Sequence, residues 1–389
     1  MRKSRELVLA PLAMAAALTV GLMGAAHAAV DTAGIRNMIG VWDGTASQTP
    51  TTGNTPTTAQ WRLDPTASFN GVANAFNGTA RLIFTSSQLV GTYVCSGSLL
   101  PGGQYVLTAG HCADGLLTMN VQFGLYNGTA LATRTMVSYT QNPGWVSSGG
   151  KLDSGSDLAI IKLNAPVTNL NAYYLSTTND VGKEYLITGY GTTTVGSSTT
   201  ATSFSDSGYG HFGYNVADVE SSVLFNAWDA THPGAGTYTV PTFGKTYVSD
   251  YDSTNALNNT LGTMKTLTGS NAWSSGLALD NNREALISGG DSGGGDFVFD
   301  AASGNWLLSA VHSWGWQFCG GRISPSCDSS SSNDSSYGDL SGSTATYTHR
   351  AWIESVIGQS VVAVPEPGTY AMMALGLLAV GAAARRRKV

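Results

Sequence analysis

Charge is scarce in this sequence. Only 11% of its 389 residues are Asp, Glu, Lys or Arg, with 19 basic against 25 acidic side chains and a formal net charge of −6. So few cations argue against nucleic acid or an anionic surface as the main partner. Histidine numbers six and cysteine four. The cysteines, Cys95, Cys112, Cys319 and Cys327, form no Cys-x-x-Cys pair and have no clustered histidines beside them. That spacing argues against zinc, and no metal or other cofactor is expected. Self-similarity at a period of about 20–50 residues is also missing, which excludes a solenoid or propeller.

Two apolar stretches mark the ends. Arg2, Lys3 and Arg5 precede "LVLAPLAMAAALTVGLMGAA", which closes on Ala26-His27-Ala28. A basic start, an apolar middle and a small-x-small close read as a secretory signal peptide over residues 1–28. At the other end residues 368–384 carry no charge, and Arg385, Arg386, Arg387 and Lys388 follow. Such a stretch sits at the lower limit for spanning a bilayer, with its basic end on the cytoplasmic side. Residues 364–389, "VPEPGTYAMMALGLLAVGAAARRRKV", resemble the PEP-CTERM sorting tail of Gram-negative bacteria. The resemblance implies a membrane protease that recognises and removes the tail; a plain anchor is the alternative. The chain is thus expected in the cell envelope or outside it, tethered transiently or permanently. Losing both ends removes seven basic and two acidic residues, so 12 basic and 23 acidic remain and the mature charge is about −11.

Few Lys, many Gly, Ser and Thr, and high Tyr and Trp fit a secreted β-rich protein. In an exported chain an even cysteine count favours disulfides, and proximity pairs Cys95 with Cys112 and Cys319 with Cys327. Residues 43–67 lack periodicity and read as part of a linker or pro-segment spanning 29–68. Strand patterns begin near residue 79, with "TARLIF", "TYVCSGSLL" and "QYVLTA". Asn127-Gly128 marks a hairpin, and "DLAIIKL" reads as a buried strand. A second block opens at "EYLITGYG"; "DFVFD" and "NWLLSAVHSW" form a hairpin across "AASG". Short strands with frequent turns imply an all-β sandwich or barrel. One helix is legible, in "THRAWIESVIGQS", with Thr348 as its N-cap and Trp352, Ile353, Val356 and Ile357 at helical spacing. Residues 211–280 show little pattern. Asp250 and Asp252 there read as solvated loop residues, with calcium as the weaker reading.

The chemistry concentrates in three places. His111 stands in "LTAGHC", Asp157 heads the strand "DLAIIKL", and Ser292 lies in "ISGGDSGGGDFVFD". Nucleophilic catalysis by serine needs an imidazole to take the hydroxyl proton and a buried carboxylate to hold that imidazole in one tautomer. The glycines beside Ser292 fit the same chemistry. Gly290 can adopt dihedrals that turn its N–H inward, and the N–H groups of Gly290 and Ser292 would then stabilise an oxyanion. Bare backbone at 289–290 and 293–295 would let a substrate chain approach. Any one of these residues alone is commonplace: Asp-Ser-Gly occurs three times, and only the third instance sits among paired glycines and enters a strand.

"CSGSLL…LTAGHC", "SDLAIIKL", "GGDSGG" and "SAVHSWG", in that order, resemble the chymotrypsin/trypsin family of serine proteases over about residues 69–360. The resemblance implies two packed six-stranded Greek-key β-barrels with the site between them, and a C-terminal helix. It implies His111 as general base, Asp157 as its orienting carboxylate, Ser292 as nucleophile, and Gly290 with Ser292 as oxyanion donors. It makes Ser313 a support for the aspartate, Trp314-Gly315 the segment that pairs with extended substrate, and Cys95–Cys112 the brace of the histidine loop. A loop of that size closed by a disulfide is worth roughly 3 kcal/mol in the chain-entropy model. The implied activity is endopeptidase cleavage of protein or peptide through an acyl-enzyme. A catalytically silent barrel that binds a matrix partner is the alternative.

Departures from the family narrow this. Leu286 stands where an acid would select Lys or Arg, so an apolar or small side chain is the expected preference. Ser288 replaces a cysteine that would pair with Cys319. No "IVGG"-like start is present to supply an activating N-terminus, although Arg62 lies seven residues ahead of Phe69. Asp291 is therefore expected either to await such a terminus as the activation ion pair or to find another cation.

Overall fold

Alternating apolar side chains decide where the strands form. The computed structural model of the chain describes residues 36–38, 40–41, 61–193, 196, 206–232, 243–276, 279, 283–317 and 335–363. The expected signal peptide, the tail, Cys319 and Cys327 lie outside the described residues. Two short strands, β1 (Arg36–Asn37) and β2 (Gly40–Val41), come first. The first body follows as β3 (Thr79–Ser86), β4 (Tyr93–Leu99), β5 (Tyr105–Thr108), β6 (Leu116–Phe123), β7 (Ala132–Gln141) and β8 (Ala159–Leu163). These pair in the order β4-β3-β6-β7-β8-β5, and a β4–β5 pairing closes the barrel. Leu82, Phe84, Val106, Val121, Phe123 and Ile161 fill its interior. Between β6 and β7, Asn127 (φ +49°) and Gly128 (φ +72°) both take the left-handed conformation that a tight hairpin turn requires.

The second body comprises β9 (Glu184–Gly189), β10 (His211–Val216), β11 (Val219–Glu220), β12 (Thr246–Asp250), β13 (Gly295–Asp300), β14 (Asn305–Trp316) and β15 (Leu340–Ala345). They pair as β10-β9-β13-β14-β15-β12-β11 in a curled half-barrel. A shared core joins the bodies. Phe297 of β13 packs 5.1 Å from Phe76 and 4.6 Å from Tyr173, ring centre to ring centre. Full burial of one such side chain contributes about 1.5–3 kcal/mol, so this seam holds the two halves in fixed relation.

Four helices complete the described fold: α1 (Pro143–Ser148), α2 (Ser221–Thr231), α3 (Thr260–Thr268) and α4 (Arg350–Ile357). Helix α4 buries Ile353 and Ile357 as the spacing predicts. Thr348 is not its N-cap, however. It lies in a preceding 3₁₀ turn, where its hydroxyl donates to the Ala345 carbonyl at 3.2 Å. Helices α2 and α3 arise in the stretch without legible pattern. Leu224, Phe225 and Trp228 of α2 and Leu261 and Met264 of α3 form a second apolar cluster with Trp314 and Trp316.

Asp250 and Asp252 are not solvated. Both are buried, near Asp218 and Glu284, in a pocket of carboxylates. Burial away from water pushes Asp250 up to about 7, Glu284 to about 8 and Asp252 to about 10, and the neighbouring acids add to the rise for Glu284 and Asp252. An acid whose folded pKa is raised stays protonated in the fold while the unfolded chain ionises near pH 4, so stability falls as pH climbs from about 4 through the folded values. The melting temperature is accordingly predicted to drop between pH 5 and pH 9. Asp252→Asn, neutral in both states, should raise Tm only slightly at pH 5 and far more at pH 9, by roughly 2–4 °C per kcal/mol recovered. Calorimetry across this range checks it.

Candidate active site

His111 opens a 3₁₀ turn (His111–Ala113) directly after β5, and the Cys95–Cys112 disulfide ties that turn to β4. The pairing is the one proximity implied. Asp157 stands just ahead of β8 and is wholly buried. A carboxylate removed from water needs its lone pairs filled. The His111 backbone N–H donates to Oδ1 at 2.9 Å, His111 Nδ1 contacts Oδ2 at 2.7 Å, and the Ser313 hydroxyl donates to Oδ2 at 2.6 Å. A carboxylate only accepts, so Nδ1 carries the proton and Nε2 presents its lone pair. Nε2 is buried and has no hydrogen-bond partner among the described residues. The ring lies within 4.8 Å of both disulfide sulfurs, which are bonded to each other and so are not thiolate ligands.

Ser292 faces this turn. Its carbonyl accepts the Ser96 N–H at 2.7 Å, and the Cys112 sulfur lies 3.7 Å from the same oxygen. Ser96 also donates its hydroxyl to the Gly290 carbonyl at 3.0 Å and accepts the Tyr190 N–H at 2.9 Å. This one side chain of β4 therefore fastens the serine loop to the first barrel. Sequence reasoning passed over it, although it follows Cys95 in the quoted "CSGSLL". Ser292 Oγ is itself buried and unpartnered, so no hydrogen bond joins it to His111.

The glycines serve two purposes. Gly290 has φ +105°, in the region that favours glycine, and its N–H and that of Ser292 converge on one oxygen, the Met38 carbonyl, at 2.5 and 3.2 Å. The expected pair of donors is thus brought together. Gly293 and Gly294 do something other than admit a substrate. A Cβ on Gly293 would lie 2.0 Å from Thr108 Oγ1 and one on Gly294 2.3 Å from the Thr188 carbonyl, so bare backbone here lets the loop press against its own chain.

Asp291 has no ion-pair partner among the described residues. Backbone N–H groups take that place: Gly191 donates to Oδ1 and Ser288 to Oδ2, each at 2.8 Å. Burial raises the Asp291 pKa against the opposing influence of His312. Gly189 and Gly191 of "LITGYG" are needed because a Cβ at either would meet Asp291 Oδ1, at 2.0 and 2.7 Å. A cavity of about 70 Å³ adjoins this carboxylate, lined by Leu286, Ser288, Thr192 and Glu284. Leu286 is half-buried on its wall. Arg62 sits on no free segment. It grips Asp206 through two hydrogen bonds of 2.7 and 2.8 Å and lies over the Tyr209 ring. Trp314 and Gly315 pair in register with Asn37 and Arg36.

Residues 70–209 match the trypsin family model, and residues 363–388 match the PEP-CTERM protein-sorting motif. Over residues 70–209 the chain is similar to the trypsin family. The matched region includes His111 and Asp157 and ends before Ser292. A solved collagenase, HL collagenase, is similar at 17% identity and a TM-score of 0.45, over 75% of this chain and 96% of that one.

The Ser313 hydroxyl joins the first barrel to the second body through a buried carboxylate. Its loss leaves that carboxylate one donor short, which costs about 1–3 kcal/mol. Ser313→Ala is predicted to lower the unfolding free energy by that amount, read as a lower urea midpoint with the slope of the transition unchanged.

Proposed function

We propose that this chain is an exported serine endopeptidase acting on protein or peptide substrates through an acyl-enzyme on Ser292. One observation carries the reading: the Gly290 and Ser292 N–H groups hold a peptide carbonyl oxygen between them, beside an unpartnered Ser292 hydroxyl. Two donors converging on one oxygen are what an oxyanion needs, and loss of one such donor typically costs about 3–4 kcal/mol in the transition state.

In this reading Ser292 Oγ attacks the carbonyl carbon and gives its proton to His111 Nε2. Asp157 stabilises the imidazolium and fixes its orientation, and Ser313 positions Asp157. The amine leaves with the proton from His111, and water releases the acyl group by the same steps reversed. Trp314 and Gly315 align extended substrate by strand pairing. The PEP-CTERM motif supports export and handling by a membrane sorting protease, hence a place in or beyond the envelope.

A fluorophosphonate probe is predicted to label the disulfide-bonded protein at Ser292, and Ser292→Ala to abolish the label. Asp157→Asn should cut kcat by about 10⁴-fold, because the imidazole then holds the wrong tautomer. Folded protein that resists the probe in every form, intact or processed, would instead identify a silent barrel that only binds.

A further inference from the structure

Part of the stretch expected to be a linker or pro-segment lies across the candidate site. Strand β1 pairs antiparallel with β14, Arg36 against Gly315 and Asn37 against Trp314. Strand β2 pairs antiparallel with β4, Gly40 against Val94 and Val41 against Tyr93. The first pairing is on the second body and the second on the first barrel. Arg36 and Asn37 thus lie on one body and Gly40 and Val41 on the other, with Met38 against the serine loop. There the Met38 carbonyl accepts both the Gly290 and Ser292 N–H groups. Met38 is only 7% exposed and belongs to the apolar cluster of Ile287, the residue after Leu286. Ser292 is fully buried.

Each of these features is what an extended substrate requires. Strand pairing on both sides fixes the backbone, a carbonyl between two donors is polarised for attack, and an apolar side chain is sequestered. A segment held only for stability would not need to deliver its carbonyl to a pair of converging donors beside an unpaired hydroxyl.

We propose that residues 36–41 are the chain's own first substrate, and that Ser292 cuts the peptide bond after Met38 within the same molecule. The proposal rests on the endopeptidase reading above and adds a substrate class and a regulatory step. Ser292 Oγ bonds to the Met38 carbonyl carbon and its proton passes to His111 Nε2. The bond from Met38 to the next residue breaks, and the freed amine takes that proton. Water then hydrolyses the ester, leaving a Met38 carboxylate and a restored Ser292 hydroxyl. Until the cut the segment blocks the cleft; after it the cleft opens to other chains. The preferred side chain on the acyl side is unbranched and apolar, like that of Met38.

The test uses the full chain. Its intact mass and N-terminal sequence are followed after purification at several dilutions, alongside fluorophosphonate labelling. The expected result is a new N-terminus at Ile39, formed with first-order kinetics that dilution does not change and absent in Ser292→Ala. Labelling should rise at least 10-fold as the cut proceeds. Met38→Asp places a carboxylate in an apolar pocket; this chain should stay uncut and label without a lag. A wild-type chain that labels fully at Ser292 while the bond after Met38 stays intact overturns the proposal and leaves the endopeptidase reading standing. A folded chain that labels in no form overturns that reading, and the proposal with it.

Discussion

The structure turns on one buried anion. Asp157 has no exposed surface, and a carboxylate there is tolerable only because three donors surround it. Two come from His111 and one from Ser313, and these stand on different bodies. Satisfying the charge therefore does two things at once. It fixes the imidazole with Nε2 free, and it fixes the second body's β14 against the first barrel. The strand that carries Ser313 also carries Trp314 and Gly315, so the hydrogen bond that holds the carboxylate sets the register of the edge on which an extended chain lies.

Ser292 reaches the same place by a different constraint. Its loop must approach the first barrel closely and still turn two N–H groups toward one point. Gly293 supplies the approach, and Gly290, at positive φ, supplies the turn. Ser96 then locks the loop from the other side through the Ser292 N-terminal neighbours and carbonyl. Among the described residues, backbone donors rather than a cation meet Asp291. The N–H groups of Gly191 and Ser288 hold it, and the two glycines of "LITGYG" make room for it. The serine loop is thus ordered by backbone donors in the chain as it stands.

Much of this was legible in the sequence, and the exceptions have physical causes. His111, Asp157 and Ser292 each sit at the end or start of a strand with alternating or continuous apolar pattern, so both the element and the side chain could be read. Helices α2 and α3 were not legible, because their buried positions are few and the cap at Asn259 resembles an ordinary turn residue. Asp250 and Asp252 read as solvated because acids normally are; nothing local in the sequence reveals that Asp218 and Glu284 fold against them. Strands β1 and β2 are two residues each, too short for any periodicity, and their pairing depends on partners more than 50 residues away. Ser96 carries no local signal, since its role exists only once the two bodies meet.

The central claim is that these groups converge to move an acyl group onto Ser292. It is tested most directly by incubating the protein with a peptide ester carrying Met on the acyl side, quenching with acid, then locating any adduct by mass spectrometry. The account predicts the acyl group esterified to the peptide containing Ser292. Turnover with no covalent adduct at Ser292, or an adduct on another residue, would contradict it.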